Sequence, residues 1–580
     1  MKLPGFFSII LLLFIYISPI QSQWSTDPTV NNPVCTAPLD QLYPKIVSDG
    51  SGGAIITWDD YRNSNTDANI YAQRINSSGI VQWTTDGVTI CDTIRNQSLP
   101  AIASDGSGGA IIVWDDKRDV SLVSDIFAQR IDASGVVQWT ANGIPICNTP
   151  EYQFRPIIIS DGSGGAIIAW NDWRGGGASF NIYVQKINSS GIVQWAANGV
   201  LLGNPTGAEQ FLSLVSDDAG GAIITWEDTR INNNDPDIYV QKINALGQVL
   251  WTEDGVLICN AYSSGLPTST SDGAGGAIIA WVDNRDTVSN HIYCQRIDAN
   301  GNVQWPTNGV SIRSIQFGGG VAPTIASDDS GGAIIAWEDL REGSLGFDIY
   351  AQKINASGTV QWAQNGVAIC QAAEYQVVPK IISDGSGGAI ITWGDKRAGG
   401  VFGDIYAQKI NASGVVQWAA DGVAISTAVK DQNTPTIIPN GSGGAIITWG
   451  DKRNDFISAY DIYTQMVNSN GFLGEVSDID EESDIVMSFD MLQNYPNPFN
   501  PSTKIKYSIP SVISNEERSL NVLLRVYDIL GNEVATLVNE EKPAGNYEIE
   551  FNASKLSSGV YFYQLKAGNY INNKKMILLK

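Results

Sequence analysis

The sequence predicts an all-β protein: an eight-bladed β-propeller closed by an N-terminal strand, plus a C-terminal Ig-like β-sandwich. Three observations predict it. Trp58, Trp114, Trp170, Trp226, Trp281, Trp337, Trp393 and Trp449 each end a Gly-Gly-Ala-Ile-Ile-x-Trp run and recur every 56 residues, once every 55. A repeat of that length means a solenoid or a propeller. Seven repeats finish with a segment such as Val81-Gln82-Trp83 to Ile90-Cys91, whereas the eighth breaks off after Met466-Val467-Asn468. The missing segment stands at the other end of the chain, where Gln23-Trp24-Ser25-Thr26-Asp27 to Val34-Cys35 matches it. Only a ring uses that arrangement, because a last sheet built from both ends of the array leaves no open edge.

In chain order, residues 1–22 read as a signal peptide: Lys2 as a short basic start, an apolar stretch from Phe6 to Ile17, then Ile20-Gln21-Ser22 before a cut. The apolar run is short for a membrane span. No other segment is long and apolar enough to cross a membrane, so the mature chain is expected to be exported, without a transmembrane segment, and monomeric.

Residues 23–474 form the propeller, and the second repeat shows one blade. Pro100 to Ser104 is strand a, followed by the glycine-rich turn Asp105 to Gly109. Ala110-Ile111-Ile112-Val113-Trp114 is strand b, apolar throughout as expected where both faces are covered. Asp125 to Ile131 alternates as strand c, Asp132-Ala133-Ser134-Gly135 turns, and Val136-Val137-Gln138-Trp139 opens strand d. The string Ser383 to Trp393, through Asp395-Lys396-Arg397, to Asp404-Ile405-Tyr406 and Asn411 to Gly414 resembles the repeat of TolB-like, WD-type propellers. That resemblance implies the fold and little about function.

Topology sorts the connections. The short a–b and c–d turns share one face of the disc, and the longer, variable b–c and d–a connections share the other: 63–68, 119–124, 175–180, 231–236, 398–403 and 454–460. A ligand is expected on that variable face. Each strand b there ends in Trp-x-Asp-x-Arg, giving Arg62, Arg118, Arg174, Arg230, Arg285, Arg341, Arg397 and Arg453, each two residues after an Asp. One reading is an arginine-lined mouth for carboxylates or sulfated or sialylated sugars. The other is a set of ion pairs fastening the ring, and full repetition favours architecture, since a catalytic group is needed once. The residue between Asp and Arg does vary, so Tyr61, Arg62, Lys117, Arg118, Trp173, Arg174, Lys396, Arg397, Lys452 and Arg453 are the candidate ligand-binding residues.

Composition narrows the chemistry. With 35 basic and 60 acidic side chains the net charge is −25, which excludes a polyanion such as DNA or RNA as partner and suits an extracellular protein. Cys35, Cys91, Cys147, Cys259 and Cys370 occupy equivalent places in successive repeats, too far apart on neighbouring blades for disulfides, and are expected as buried thiols. The single histidine, His291, cannot build a Cys/His metal site or a Ser-His-Asp triad by itself. The Ser-Asp-Gly-Ser-Gly-Gly turns lack the alternating ligands of a calcium loop. Neither a metal, a cofactor nor a catalytic residue is assigned, although carboxylates and tyrosines are plentiful enough to leave a glycosidase open.

After Gly474 the acidic stretch 475–487 reads as a linker, and 488–580 as a second β domain. Its motifs are Leu492-Gln493-Asn494-Tyr495-Pro496-Asn497-Pro498-Phe499, Val526-Tyr527-Asp528-Ile529-Leu530-Gly531, Leu556-Ser557-Ser558-Gly559-Val560-Tyr561, and Lys574-Lys575 to Lys580. They resemble, in order, the type A C-terminal sorting domain of the type IX secretion system, with a longer insert at Ser511 to Ser519 as the one departure. The resemblance implies passage across the outer membrane by the type IX machinery, to the cell surface or beyond, with the domain commonly removed on release or anchoring. The proline-rich opening cannot pair as a central strand and is expected at an edge. The chain is therefore expected to be a secreted or surface propeller that binds a glycan or protein, or alternatively a carbohydrate-active hydrolase or lyase on the same variable face.

Overall fold

Each repeat folds as a four-stranded antiparallel sheet because its second strand is apolar on both faces and is covered on both. In blade 1 the strands a to d are Gln41–Ser48, Ala54–Asp60, Asn69–Ile75 and Val88–Cys91, hydrogen-bonded in sequence order. Ala54–Asp60 is buried at every position. Successive residues belong to different cores: Ile55 packs with Ile112 and Trp114 of blade 2, Ile56 with Ile446 and Met466 of blade 8. A continuous apolar strand is the physical consequence of a neighbour on either side.

The computed structural model describes residues 24–119, 123–174, 180–203, 207–231, 235–315, 318–341, 346–399, 403–454, 459–474, 490–509, 520–542, 545–567 and 570–580. The expected signal peptide and acidic linker lie outside these, as do parts of the variable connections. The chain divides into two units between Glu475 and Val476.

The first unit is a ring of eight such sheets. Seven use consecutive strands, and the eighth is Gln432–Pro439, Ala445–Asp451 and Asp461–Val467 completed by Asn32–Cys35 from the N-terminal end. The register sets Asn32 opposite Thr464. Trp24 is 3% exposed and its indole Nε1 donates to Ser77 O of blade 1 at 2.6 Å, as Trp83 donates to Ala133 O of blade 2 at 3.1 Å. Gln465 Nε2 in turn donates to Ser25 O at 2.9 Å. The N-terminal segment thus fills the place that a closing segment fills in every other blade.

One boundary differs from expectation. Strand d of blade 2 is Ile144–Cys147, not the Val136–Trp139 stretch, where only a single bridge joins Val137 to Ile131. Trp139 leaves its own sheet to lie against Gly191 of blade 3, donating to Ser189 O at 3.2 Å. Satisfying the indole across the blade boundary outweighs continuing the ladder. The chain then returns through Asn142 (φ 64°) and Gly143 (φ 84°), a left-handed pair that reverses it tightly. A Cβ on Gly143 would fall 2.5 Å from Trp114 and 2.8 Å from Ala128 O, so glycine is required twice over.

In each sheet the Asp60-type end pairs with the starts of strands a and c, while the Ala54-type end pairs with their opposite ends. The b–c and d–a connections therefore share one side, the loop face. The first strands neighbour one another around the whole circle, blade 8 against blade 1 included, and so surround its axis.

The second unit is a β-sandwich. One sheet pairs Asp490–Met491, Ser502–Ile509 and Gly545–Asn552; the other is ordered Glu533–Lys542, Leu520–Tyr527, Gly559–Ala567, Tyr570–Leu578. Phe499, Ile505, Leu524, Tyr563 and Met576 are among its buried core. The proline-rich opening lies along the outside of the last strand, Phe499 bridging to Leu578.

Candidate functional site

The eight Asp–Arg pairs are the first features of the loop face, and the fold uses them. Asp60 accepts from Trp58 Nε1 at 2.7 Å and from Arg62 Nε and NH2 at 2.8 and 2.5 Å. Arg62 NH2 also donates to Asp86 O at 2.7 Å, and its guanidinium stacks 3.9 Å over the Tyr71 ring. The aspartates of all eight pairs are fully buried and the arginines half-buried. Each guanidinium is thereby held flat between its blade's carboxylate and aromatic ring. Five cysteines, Cys35, Cys91, Cys147, Cys259 and Cys370, lie against these pairs from the preceding blade: Cys91 Sγ is 3.8 Å from Asp116 and 3.5 Å from Arg118. All six cysteines are free and buried, and burial pushes the Cys91 thiol up to about 11, so it is a weak donor rather than a nucleophile. Where Arg313 replaces the cysteine, it pairs with Asp339 at 3.2 Å, both side chains fully buried.

The intervening residues remain half-buried on the loop face. The backbone N–H groups of Tyr61, Lys117, Trp173, Lys396 and Lys452 donate to Asp40, Asn96, Tyr152, Tyr375 and Asp431 carbonyls, which ties each b–c connection to the preceding d–a connection. Lys452 Nζ sits 4.3 Å over the Tyr460 ring, and Arg453 NH1 reaches the Thr29 carbonyl of the closing segment at 3.1 Å. On blade 3 Trp173 is 5.9 Å from Tyr152 and 5.6 Å from Phe180, which meets Phe154 edge-on at 5.1 Å. These four half-buried rings form one aromatic cluster. Its neighbour in sequence, Arg155, is exposed.

Sequence reasoning missed the axis of the ring. One residue near the start of each strand a, the third in seven blades and the fourth in blade 6, is left-handed without being glycine: Tyr43, Leu99, Arg155, Phe211, Leu266, Ala322, Val378 and Thr434 have φ between 48° and 56°. Such a conformation is costly for bulky or branched residues and needs a partner. Four blades supply one from strand b of the neighbouring blade. Asp59 accepts from Leu99 N at 3.0 Å, Asp115 from Arg155 N at 2.9 Å, Glu338 from Val378 N at 2.7 Å, and Glu227 from Leu266 N. Burial raises all four carboxyls, Asp59 to about 8. The signal was present as the residue after each repeat tryptophan, but pairing it with a backbone N–H in another blade requires the ring.

Inside the bulges lies a cavity of about 320 Å³ at the axis, bounded by strands a of blades 4 to 7. Phe211, Leu266 and Val378 give it an apolar rim, and Thr268, Thr324 and Lys380 a polar wall. No cluster of metal-ligating side chains occurs among the described residues. His291 is spoken for: it sits 2.8 Å from Asp286, whose carboxyl is held down at about 2 by the Val288 N–H first and by His291.

In the second unit the motif residues are largely structural. Asn497 Oδ1 accepts from Ile577 N at 2.9 Å, and Pro496 O from Thr503 Oγ1 at 2.9 Å. Gly531 turns with φ 85°, Gly559 opens a strand opposite Leu578, and Tyr561 OH donates to Ser557 O at 2.8 Å. Lys574 and Lys575 pair opposite Tyr563 and Phe562, and Lys580 Nζ donates to Ser554 O at 2.7 Å. Tyr495 is 81% exposed, its ring free of the core that Phe499 enters.

No curated protein matches the chain. Among solved structures it resembles an α-L-arabinanase from Penicillium chrysogenum at 10% identity, covering 55% of this chain and 94% of that one, TM-score 0.30. An endo-arabinase from Bacteroides thetaiotaomicron is 14% identical over 46% and 95%, TM-score 0.26. An α-L-arabinofuranosidase from Fusarium graminearum is 8% identical over 76% and 98%, TM-score 0.32. Likenesses this distant say nothing of activity. Residues 493–579 match the secretion system C-terminal sorting domain, and that match indicates export to the cell surface or the extracellular space.

Proposed function

We propose that the chain is a surface or secreted binding protein, carried by a type A sorting domain through the type IX machinery, whose loop face takes a glycan. The observation that carries the reading is the aromatic cluster of Tyr152, Phe154, Trp173 and Phe180 on blade 3. Sugar rings present faces of C–H bonds that pack on aromatic rings, while their hydroxyls need few fixed polar partners. Binding is favoured over hydrolysis by how the raised carboxyls beside the axis, Asp59, Asp115, Glu227 and Glu338, are used. Each is pinned to a backbone N–H, and the cavity wall holds no Asp or Glu among the described residues. A glycosidase needs two carboxyl groups facing one bond.

Glycan-array screening of the exported protein tests the reading, with Trp173→Ala as comparison. Binding that falls at least about tenfold in the variant is expected, the scale of one lost stacking contact. Unchanged binding in Trp173→Ala, or hydrolysis of any bound glycan, would refute it. For export, deleting Tyr570 to Lys580 removes the edge strand paired to Gly559–Ala567 and is expected to leave the protein in the periplasm. Normal surface display of that truncation counts against the sorting role.

A further inference from the structure

Charged side chains are scarce on the eight innermost strands: Lys45, Arg155, Glu209 and Lys380 are all there are. Glu209 is fully buried and accepts from Ile182 N at 2.8 Å. The three exposed charges at the axis are therefore all cations, in a chain of net charge −25.

Lys45 and Lys380 occupy the same register position, opposite Thr57 and Thr392 of their second strands. Strand a of blade 8 lies between theirs and carries Thr436 at that level. Both side chains are exposed, yet protein surrounds them, because they face the axis that the eight first strands enclose. Neither ammonium makes a hydrogen bond or ion pair among the described residues, whereas Lys186, Lys242, Lys353 and Lys409 at the opposite face all do. Burial lowers both pKa values, and the Lys45 charge lowers that of Lys380 further. The nearest carboxyls, Asp59 and Glu338, oppose that lowering but form no ion pair with either lysine: they are buried and bound to Leu99 and Val378 N–H groups. Two like charges that face one enclosed axis without an ion pair favour an anion that joins them.

We propose that the axial channel is an oxyanion site, in which Lys45 and Lys380 receive the carboxylate or sulfate group of an acidic saccharide. Lys380 lines the 320 Å³ cavity, so an anion reaching it does so from that cavity, beside its apolar rim. The saccharide as carrier rests on the glycan reading above, whereas the anion site itself does not.

The test is calorimetric titration of the whole exported chain at constant ionic strength, first with inorganic sulfate, then with an oligogalacturonate and a neutral oligosaccharide of equal length. Wild type is expected to bind sulfate saturably. Lys45→Met and Lys380→Met should each weaken that binding by about tenfold or more, the worth of one charged hydrogen bond. Lys45→Arg and Lys380→Arg, which keep the charge, should retain it and control for folding. The acidic oligomer should bind more tightly than the neutral one, and the Met variants should lose only that preference. Absence of saturable sulfate binding, or binding that survives the double Met variant, overturns the site. Equal binding of acidic and neutral oligomers overturns the saccharide carrier. Lysine-dependent sulfate binding with neither oligomer bound upholds the anion site and refutes the glycan reading instead.

Discussion

Trp24→Ala tests the closure of the ring. The indole is 3% exposed, and it packs so tightly on the neighbouring turn that a Cβ on Gly79 would fall 2.8 Å from its ring. A buried tryptophan removes about 150–250 Å² from water, worth about 4–6 kcal/mol at about 25 cal/mol per Å². Its hydrogen bond to Ser77 O adds about 1 kcal/mol. Partial relaxation brings the expected loss to about 3–5 kcal/mol. Trp83→Ala is the matched control, since Trp83 makes the equivalent contact between blades 1 and 2. Both variants should lower the guanidinium midpoint. Only Trp24→Ala should also release the closing strand, because Asn32–Cys35 is joined to blade 8 by pairing and not by the chain. Hydrogen exchange read by mass spectrometry should then show residues 24–35 and Asp461–Val467 unprotected in Trp24→Ala alone. A Trp24→Ala protein within about 1 kcal/mol of wild type, with residues 24–35 still protected, refutes the closure argument.

Asp59 makes stability depend on pH. Its native pKa of about 8 lies above its ordinary 3.8, so its contribution is complete below pH 3.8 and declines as pH rises toward 8, by about 1.4 kcal/mol per unit at most. Asp59→Asn, which can still accept the Leu99 N–H, should flatten that decline in thermal melts; an unchanged slope counts against a protonated Asp59. Arg118→Ala leaves the fully buried Asp116 carboxylate without its cation and is expected to cost about 3–5 kcal/mol in denaturant unfolding; a loss below about 1 kcal/mol would return the arginines to ligand binding. Gly143→Ala forces a side chain into a left-handed residue packed against Trp114 and should cost about 2–4 kcal/mol by the same measurement.

Much of this molecule was legible in the chain. The recurring tryptophans, the apolar second strands and the displaced closing segment dictate a ring of eight sheets, because burial on both faces needs a neighbour on each side and the orphaned segment fits one place. The loop face followed from topology, and the buried cysteines from equivalent positions. What periodicity could not reveal is anything that depends on which residues of different blades meet. Strand d began later than expected because Trp139 hydrogen-bonds into the next blade. The arginines of the loop face are engaged by carboxylates, rings and carbonyls and, at Arg62, by the Cys35 thiol of the neighbouring blade, a contact that no single repeat displays. Lys45 and Lys380 are 335 positions apart and unremarkable in their own repeats. Only the curvature of the ring brings them to the same channel, where enclosure by protein and the lack of an ion pair leave two ordinary lysines as an unanswered charge.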